Sequence, residues 1–283
     1  MKKFKKALAV VLSVMFVALA FAGCSSSDNV AAEITDETML VAYTAESKPF
    51  LYKDENGKFT GFDAELFDNI FKSIKNDYKN YQFVQVDEDY EVGEDVAYTD
   101  DDGNEYIAYV MLGGVQTNSG SFNGDHSFTD TLIENRVVTV TASDSSIKTY
   151  ADLNGKTVGS VGDLASQALD KNASIKNGLK AVKTYENIAE ALTALSAGEV
   201  DAVVVDEFNF EVSENKADFT VIDGELDVIS YVFATKKYDE LAANMNEAVY
   251  ELKNYGDTDE FIPIVEKYFG YDASNFTYVP ESN

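Results

Sequence analysis

Two kinds of apolar pattern alternate along this chain, and their alternation constrains the fold more than any other feature. The clearest case spans residues 187–206, where the helical spacing of NIAEALTALSAG is followed at once by the strand pattern VDAVVVD. Gly198 stands where helices commonly end. Residues 39–45 are typical of a strand that precedes a hairpin and a helix, and residues 157–162 are typical of a strand that runs directly into a helix. Alternating strands and helices predict the α/β class, with mostly parallel, doubly wound sheets.

Turn and cap residues divide the rest of the chain into hairpins and helices. The dipeptides Asn-Gly at 56–57 and Asp-Gly at 102–103 predict two hairpin turns. Asp63 is a good N-cap for a helix over residues 64–78, whose apolar residues recur at helical spacing. Two helices, over residues 239–254 and 259–269, are expected to close the chain.

The first residues carry the pattern of an export signal. The basic start MKKFKK precedes an apolar run of 16 residues, which is short for a membrane span and is followed by GCSSSDN. The only cysteine, Cys24, stands at the cleavage point, which resembles a bacterial lipoprotein signal, although Phe21 replaces the usual leucine. We expect residues 1–23 to be the signal peptide and 24–37 a tether, so that the protein is extracytoplasmic and held at the cell membrane only by lipid. Ordinary cleavage that leaves a free thiol is the alternative.

The charge of the chain is strongly negative, with 50 acidic against 22 basic residues and a formal net charge of −28. Such a surface repels nucleic acid and anionic lipid headgroups, so neither is expected as a partner. Residues 81–134 contain no lysine or arginine, and an acidic insertion spans 87–106. An EF-hand aligned on its turn would place Tyr98 and Tyr109 at ligand positions, so we predict no metal site and no cofactor.

Four segments in a fixed order resemble the amino-acid-type substrate-binding lipoproteins of ABC transporters, solute-binding protein family 3. They are KPFLYKDENGKFTGFDAELFDNI, SSIKTYADLNGKTVGSVG, ALSAGEVDAVVVD and YVFATKKYDELAANMNEAVYELKN. The resemblance spans nearly all of residues 38–270. It implies a monomer that works with ABC permease subunits and binds a small-molecule ligand.

The resemblance also implies the two-lobe type II periplasmic-binding-protein fold, in which two hinge strands join the lobes. We place the crossings near residues 131–137 and 226–232. Lobe one is then 38–132 plus 232–283, and lobe two is 137–226. The lobes are expected to close over the ligand by hinge motion.

The family's site pairs a ligand ammonium with an aspartate at the end of a strand in lobe two, and Asp206 matches that position. An ordinary strand-end aspartate is the alternative. The family also sandwiches ligands between aromatic side chains. Phe50 matches one of them, whereas Ser47 stands where the other is expected.

The family pairs the ligand carboxylate with an arginine three residues after a threonine, in a loop that begins here at Gly113. The residue three positions after Thr117 is Gly120, so the arginine that the family has there is absent. Arg136 is the only arginine of the chain and is therefore the one residue that could clamp a carboxylate with two hydrogen bonds. The favoured interpretation is that Arg136 is simply an exposed residue of the hinge strand. Asp163 replaces an expected threonine, where it would repel a carboxylate or simply cap a helix.

Three functions remain open from the sequence. The first is a binding protein of an importer, with a small amine-bearing or amino-acid-like solute between its lobes. The second is a degenerate member that serves as an interaction or sensor module. The third is a dehydratase-like enzyme on the same fold, for which the single histidine, His126, is the one candidate acid or base. We predict that the chain is not an enzyme.

Overall fold

The computed structural model describes residues 34–74, 77–117, 126–214, 216–237, 240–254 and 260–270. Within these ranges the chain forms two β-sheets, each covered by helices, and a short separate hairpin. Cys24, most of the tether and Gly120 lie outside the described residues. No helix in the described ranges is both long and apolar enough to cross a membrane.

The first sheet has the strand order β4-β1-β6-β14-β7, and β5 pairs with β6. Helices α1, α6 and α7 pack together beside it. The elements of this part are β1 (Thr38–Tyr43), β2 (Tyr52–Lys53), β3 (Phe59–Thr60), α1 (Phe62–Ser73), β4 (Asn80–Gln85), β5 (Val96–Thr99), β6 (Glu105–Met111), β7 (His126–Phe128), β14 (Ala234–Lys236), α6 (Leu241–Asn254) and α7 (Phe261–Phe269). The two hairpins expected from their glycine turns are present as β2–β3 and β5–β6.

The second sheet has the order β10-β9-β11-β8-β12, and β13 also pairs with β8. Its helices come from the chain between the strands. The elements are β8 (Ile133–Ala142), β9 (Thr157–Val161), α2 (Gly162–Lys171), α3 (Ala173–Gly178), β10 (Ala181–Tyr185), α4 (Ile188–Ser196), β11 (Ala202–Asp206), α5 (Glu207–Glu211), β12 (Phe219–Val221) and β13 (Asp227–Tyr231). Short 3₁₀ turns cover 150–153 and 216–218.

Both sheets are mixed, so the prediction of mostly parallel sheets was wrong. Parallel pairing is confined to β1 with β4 and β6, and to β9 with β10 and β11. The other pairs of the two sheets are antiparallel, including β6–β14 and β8–β11. The strands through which the chain leaves one sheet and enters the other are antiparallel to their neighbours. The alternation of strands and helices in the sequence does not indicate strand direction.

The chain passes between the two sheets at two adjacent places. It leaves the first sheet after Phe128 and enters the second at Ile133, and it returns between Tyr231 and Ala234. There β8 and β13 pair antiparallel, with Ile133 opposite Tyr231 and Val137 opposite Asp227. These are the positions at which the sequence indicates two crossing strands.

Helix starts differ from the prediction at two acidic residues. Asp63 and Asp163 were both expected as N-caps, but α1 begins at Phe62 and α2 at Gly162, and neither start has a side-chain cap. Both acids instead lie within the first helical turn, because a glycine with positive φ, Gly61 for α1 and Gly162 for α2, stands at each helix start. Helix α1 also ends at Ser73, before the predicted end at residue 78.

Candidate functional site

The residues singled out in the sequence gather where the two sheets connect. The segment after β6 contacts the crossing strand β13. Gln116 forms an isolated antiparallel β-bridge with Tyr231, and the Thr117 N–H donates to the Ser230 carbonyl at 3.3 Å. On the other side of the crossing, Asn135 of β8 donates its side-chain amide to Asp206 at 3.1 Å. The end of β6, the end of β11 and both crossing strands therefore surround one region.

Asp206 lies at the end of β11 and is only 6% exposed. Its Oδ1 accepts from the Asn135 side chain and, as the N-cap of α5, from the Asn209 N–H at 3.2 Å. Its Oδ2 accepts from the Asn209 side chain at 2.7 Å. All three donors are neutral, and no lysine or arginine of the described residues pairs with this carboxylate. Asp206 thus caps α5 at the end of β11, and its buried carboxylate has no counter-ion among the described residues.

Asp63 is a second buried acid at the same region, which the sequence analysis treated only as a helix cap. It is 2% exposed, and its Oδ2 accepts from the N–H groups of Gly113 and Gly114, both at 2.8 Å. Burial raises the pKa of Asp63 to about 6, although the two amide hydrogen bonds oppose that shift. Its Oδ1 receives no hydrogen bond from the described residues. The signal that could have revealed it is an acid placed on the buried face of an amphipathic helix.

Aromatic side chains line the region between the two acids. The Phe50 ring lies 4.3 Å from the Tyr231 ring, centroid to centroid, and Phe208 of α5 lies 4.4 Å from Phe269 of α7. Phe208 also stacks on Tyr231 at 6.2 Å. Burial raises the pKa of Tyr231 to about 12, and the charges of Asp206 and Asp63 add to that shift. The stack thus joins first-sheet and second-sheet elements through a crossing strand.

Phe50, the aromatic residue that matches the family position, is 5% exposed in this arrangement. A Cβ on Gly114 would approach its ring to 3.0 Å, and Gly114 has φ +81°. Gly113 is also left-handed, at φ +107°. The two glycines therefore let the backbone turn against Phe50 while both of their N–H groups reach Asp63. The predicted site residues Phe50 and Gly113 are brought together, whereas Gly120 lies outside the described residues.

Arg136 makes a two-pronged ion pair with Glu207, a residue that the sequence analysis did not single out. Its Nε donates to Oε2 at 2.7 Å and its Nη2 donates to Oε1 at 2.6 Å. The Glu207 side chain is only 6% exposed, and burial raises its pKa while Arg136 lowers it. Hydrogen bonding to Glu207 raises the pKa of Arg136. The only arginine of the chain is therefore engaged by a carboxylate of the chain itself.

Comparison with known proteins agrees with this architecture. The sequence model of the NMT1/THI5-like family matches residues 126–261. The probable amino-acid-binding protein YxeM of Bacillus subtilis (strain 168) is 28% identical over 96% of this chain and 98% of its own length. The arginine-binding extracellular protein ArtP of the same organism is 23% identical over 86% of this chain and 91% of its own length.

The chain resembles the amino-acid-binding proteins of ABC transporters. Two solved structures agree in fold, each with a TM-score of 0.62: a polar amino acid ABC uptake transporter substrate-binding protein from Streptococcus thermophilus and the unliganded, open L-cystine solute receptor of Neisseria gonorrhoeae. The first is 21% identical and covers 84% of this chain and 88% of its own. The second is 20% identical and covers 84% and 94%. The predicted type II periplasmic-binding-protein fold is confirmed.

Asp163 differs from the residue that the resemblance to amino-acid-binding proteins implies at its position. This acid lies exposed in the first turn of α2, at a position where the resemblance implies a threonine. No hydrogen bond to its carboxylate comes from the described part of the chain. Ser160, just before this helix, shares a 3.1 Å hydrogen bond with Ser166. The α2 N-terminus, where backbone N–H groups could bind an anion, thus carries a negative side chain.

His126, the candidate for acid or base chemistry, lies in β7 of the first sheet. Its Nε2 accepts from the Val92 N–H at 3.4 Å, so this nitrogen faces the chain's own backbone. The described residues contain no group of three or more His, Cys, Asp or Glu side chains that could hold a metal ion. The relatives named above are binding proteins rather than enzymes.

Proposed function

We propose that this protein is an extracytoplasmic, lipid-anchored substrate-binding protein of an ABC importer. It binds a small amine-bearing or amino-acid-like solute between its two lobes and is not an enzyme. The observation that carries this proposal is the pair of buried carboxylates, Asp63 and Asp206, at the crossing between the sheets. Each is almost fully buried and neither has a cationic partner among the described residues. A buried carboxylate is costly without a counter-charge, and a ligand ammonium would supply one.

The names of the relatives support solute import as the biological role. One is a probable amino-acid-binding protein, one an arginine-binding extracellular protein, and one a glutamine-binding protein of an ABC transporter. All three match 86% or more of this chain. In this proposal the protein is a monomer that delivers its ligand to ABC permease subunits.

Closure of the lobes over the ligand is the mechanical part of the proposal. Lobe one is 38–132 plus 232–283, lobe two is 137–226, and the paired strands β8 and β13 are the hinge. Ligand exchange then takes place by hinge rotation of one lobe relative to the other about these two crossings.

We expect small-angle scattering to show compaction when the protein is saturated with a solute that binds. Candidate solutes are found by thermal shift against amines, polyamines, amino acids and small peptides. Binding to the folded state alone adds about 2.7 kcal/mol of stability at a hundredfold excess over the dissociation constant, which is measurable. A scattering profile that does not change on saturation would contradict lobe closure.

The lipid anchor is tested at the only cysteine. We expect Cys24→Ser to release the protein from the membrane fraction or to leave its precursor unprocessed, because lipidation requires the thiol. Metabolic labelling with a fatty-acid analogue and cell fractionation measure both outcomes. A serine variant that stays membrane-bound and is trimmed normally would exclude the lipoprotein assignment.

A degenerate member that acts as an interaction or sensor module is the second candidate function. The specific observation in its favour is that Arg136 is already paired with Glu207, so the chain offers no arginine to a ligand carboxylate. The acidic hairpin β5–β6 would then be a surface for a basic partner. Absence of any ligand from the whole thermal-shift panel would favour this function over solute import.

A further inference from the structure

The orientation of Arg136 removes it from the region of the buried acids. Successive side chains of a strand point to opposite faces, and Asn135 is the one that reaches Asp206. Arg136 therefore points to the other face of β8, where Glu207 holds it in a bidentate pair. Glu207 follows Asp206 directly, so the only arginine of the chain is paired with an internal carboxylate on the face of β8 opposite to Asn135.

In the described part of the chain, no lysine or arginine forms an ion pair with Asp63 or Asp206. Residues 81–134, which include the whole segment after β6, contain no lysine or arginine. Lys48, close to Phe50 in sequence, lies with its Nζ 4.9 Å from the centroid of the Tyr52 ring. The first turn of α2 adds the Asp163 carboxylate rather than a hydroxyl. The half-buried Lys253 at the first crossing donates to the Thr131 and Leu132 carbonyls. A ligand carboxylate would therefore meet acids at this site, with no arginine to clamp it.

The two buried acids differ in what they can still accept. Asp206 has hydrogen bonds to both carboxylate oxygens, all from neutral groups. Asp63 receives both of its hydrogen bonds on Oδ2, which leaves Oδ1 as an acceptor. An ammonium group satisfies such oxygens and offsets their charge, whereas a zwitterion brings a further negative charge into a buried site.

We propose that the ligand is an organic amine without a carboxylate, such as a diamine, a polyamine or a decarboxylated amino acid. This inference rests on the proposed function and narrows its substrate class. The pairing of Arg136 with Glu207 withholds the only arginine from a ligand carboxylate, and the Asp163 carboxylate repels one. The buried acids Asp63 and Asp206 attract the ligand ammonium.

Matched pairs of compounds test the inference directly with the unaltered full chain. Agmatine and arginine, cadaverine and lysine, and histamine and histidine each differ only by a carboxylate. Isothermal calorimetry should show the amine of at least one pair binding more than about tenfold tighter than its amino acid. If the amino acid binds as tightly or more tightly in every pair that binds, the inference is overturned while the proposed function stands. If neither these six compounds nor any other member of the thermal-shift panel binds, both are overturned.

A variant at α2 tests the cause of the preference. Asp163→Thr removes the negative charge and frees the helix N-terminus, so the affinity ratio of amine to amino acid should fall at least about fivefold. Asp170→Thr is the matched control, since it makes the same change on the same helix at a residue that pairs with Lys176. The control should keep the native ratio. An equal ratio in Asp163→Thr and in the native chain would overturn the part assigned to Asp163.

Discussion

Replacing Gly61 with alanine is expected to destabilise the folded protein by more than about 3 kcal/mol. Gly61 has φ +119°, a region that alanine rarely adopts. A Cβ at this position would lie 2.2 Å from the Phe50 carbonyl oxygen and 2.6 Å from its carbon. These neighbours are backbone atoms of a buried segment, so the contact is relieved only by moving the chain.

Denaturant unfolding of the variant measures this effect, and Gly57→Ala is its matched control. Gly57 is also left-handed, at φ +78°, but beyond its two chain neighbours no heavy atom lies within 4 Å of the place that a Cβ would take there. We therefore expect only the conformational cost, about 1 kcal/mol. If the two variants lost equal free energies of unfolding, the close approach of the Cβ to the Phe50 backbone would contribute nothing to the destabilisation.

The same glycine connects stability to the candidate site. Beside it, the Phe62 N–H donates to the Pro49 carbonyl and the Asp63 N–H donates to the Phe50 carbonyl, both at 2.9 Å. A shift of this backbone would displace Asp63 from the N–H groups of Gly113 and Gly114. Any Gly61→Ala protein that still folds should therefore also bind its ligand more weakly.

Much of the fold follows from local sequence pattern. The helical spacing of residues 188–196 and the apolar run after it predict α4 and β11 because burial of one face requires those periods. The glycine turns predict both hairpins, because left-handed turn positions favour glycine. Strand direction was predicted less well, since pairing between β8 and its neighbours is set by long-range packing rather than by local pattern.

The site was harder to predict for a related reason. Asp206 was identified because the family resemblance implies an aspartate at the end of an apolar strand, and such a strand end is a local feature. Asp63 and Glu207 were missed as site residues, because their importance comes from burial and from partners about 50 and 71 residues away in the sequence. Arg136 was singled out as the only arginine, yet its partner depends on how β8 and α5 meet in three dimensions.

The largest effect on binding is expected at Asp206. With agmatine as the probe, Asp206→Asn should lose roughly thirtyfold or more in affinity, since truncating or neutralising a buried charged partner commonly costs about 2–5 kcal/mol of binding. The asparagine keeps an oxygen that can accept from the Asn209 N–H, so α5 retains its cap. The Asn209 side-chain amide, which donates to Oδ2 in the native chain, can turn so that its oxygen accepts from the new amide group. Stability should therefore change by no more than about 1 kcal/mol. Calorimetry and thermal unfolding on the same samples separate the two effects.

Two further variants distinguish a ligand role for Asp206 from a purely structural one. Asp206→Ala removes the cap as well as the charge, so it should lose the same affinity and, in addition, about 1–2 kcal/mol of stability. Asp201→Asn makes the same charge change just before β11, at a side chain that accepts from the Thr157 N–H at 2.8 Å, and should bind agmatine normally. If Asp206→Asn binds agmatine as tightly as the Asp201→Asn control, Asp206 serves only as the cap of α5. The ammonium must then be held elsewhere, with Asp63 as the other buried carboxylate that has no cationic partner among the described residues.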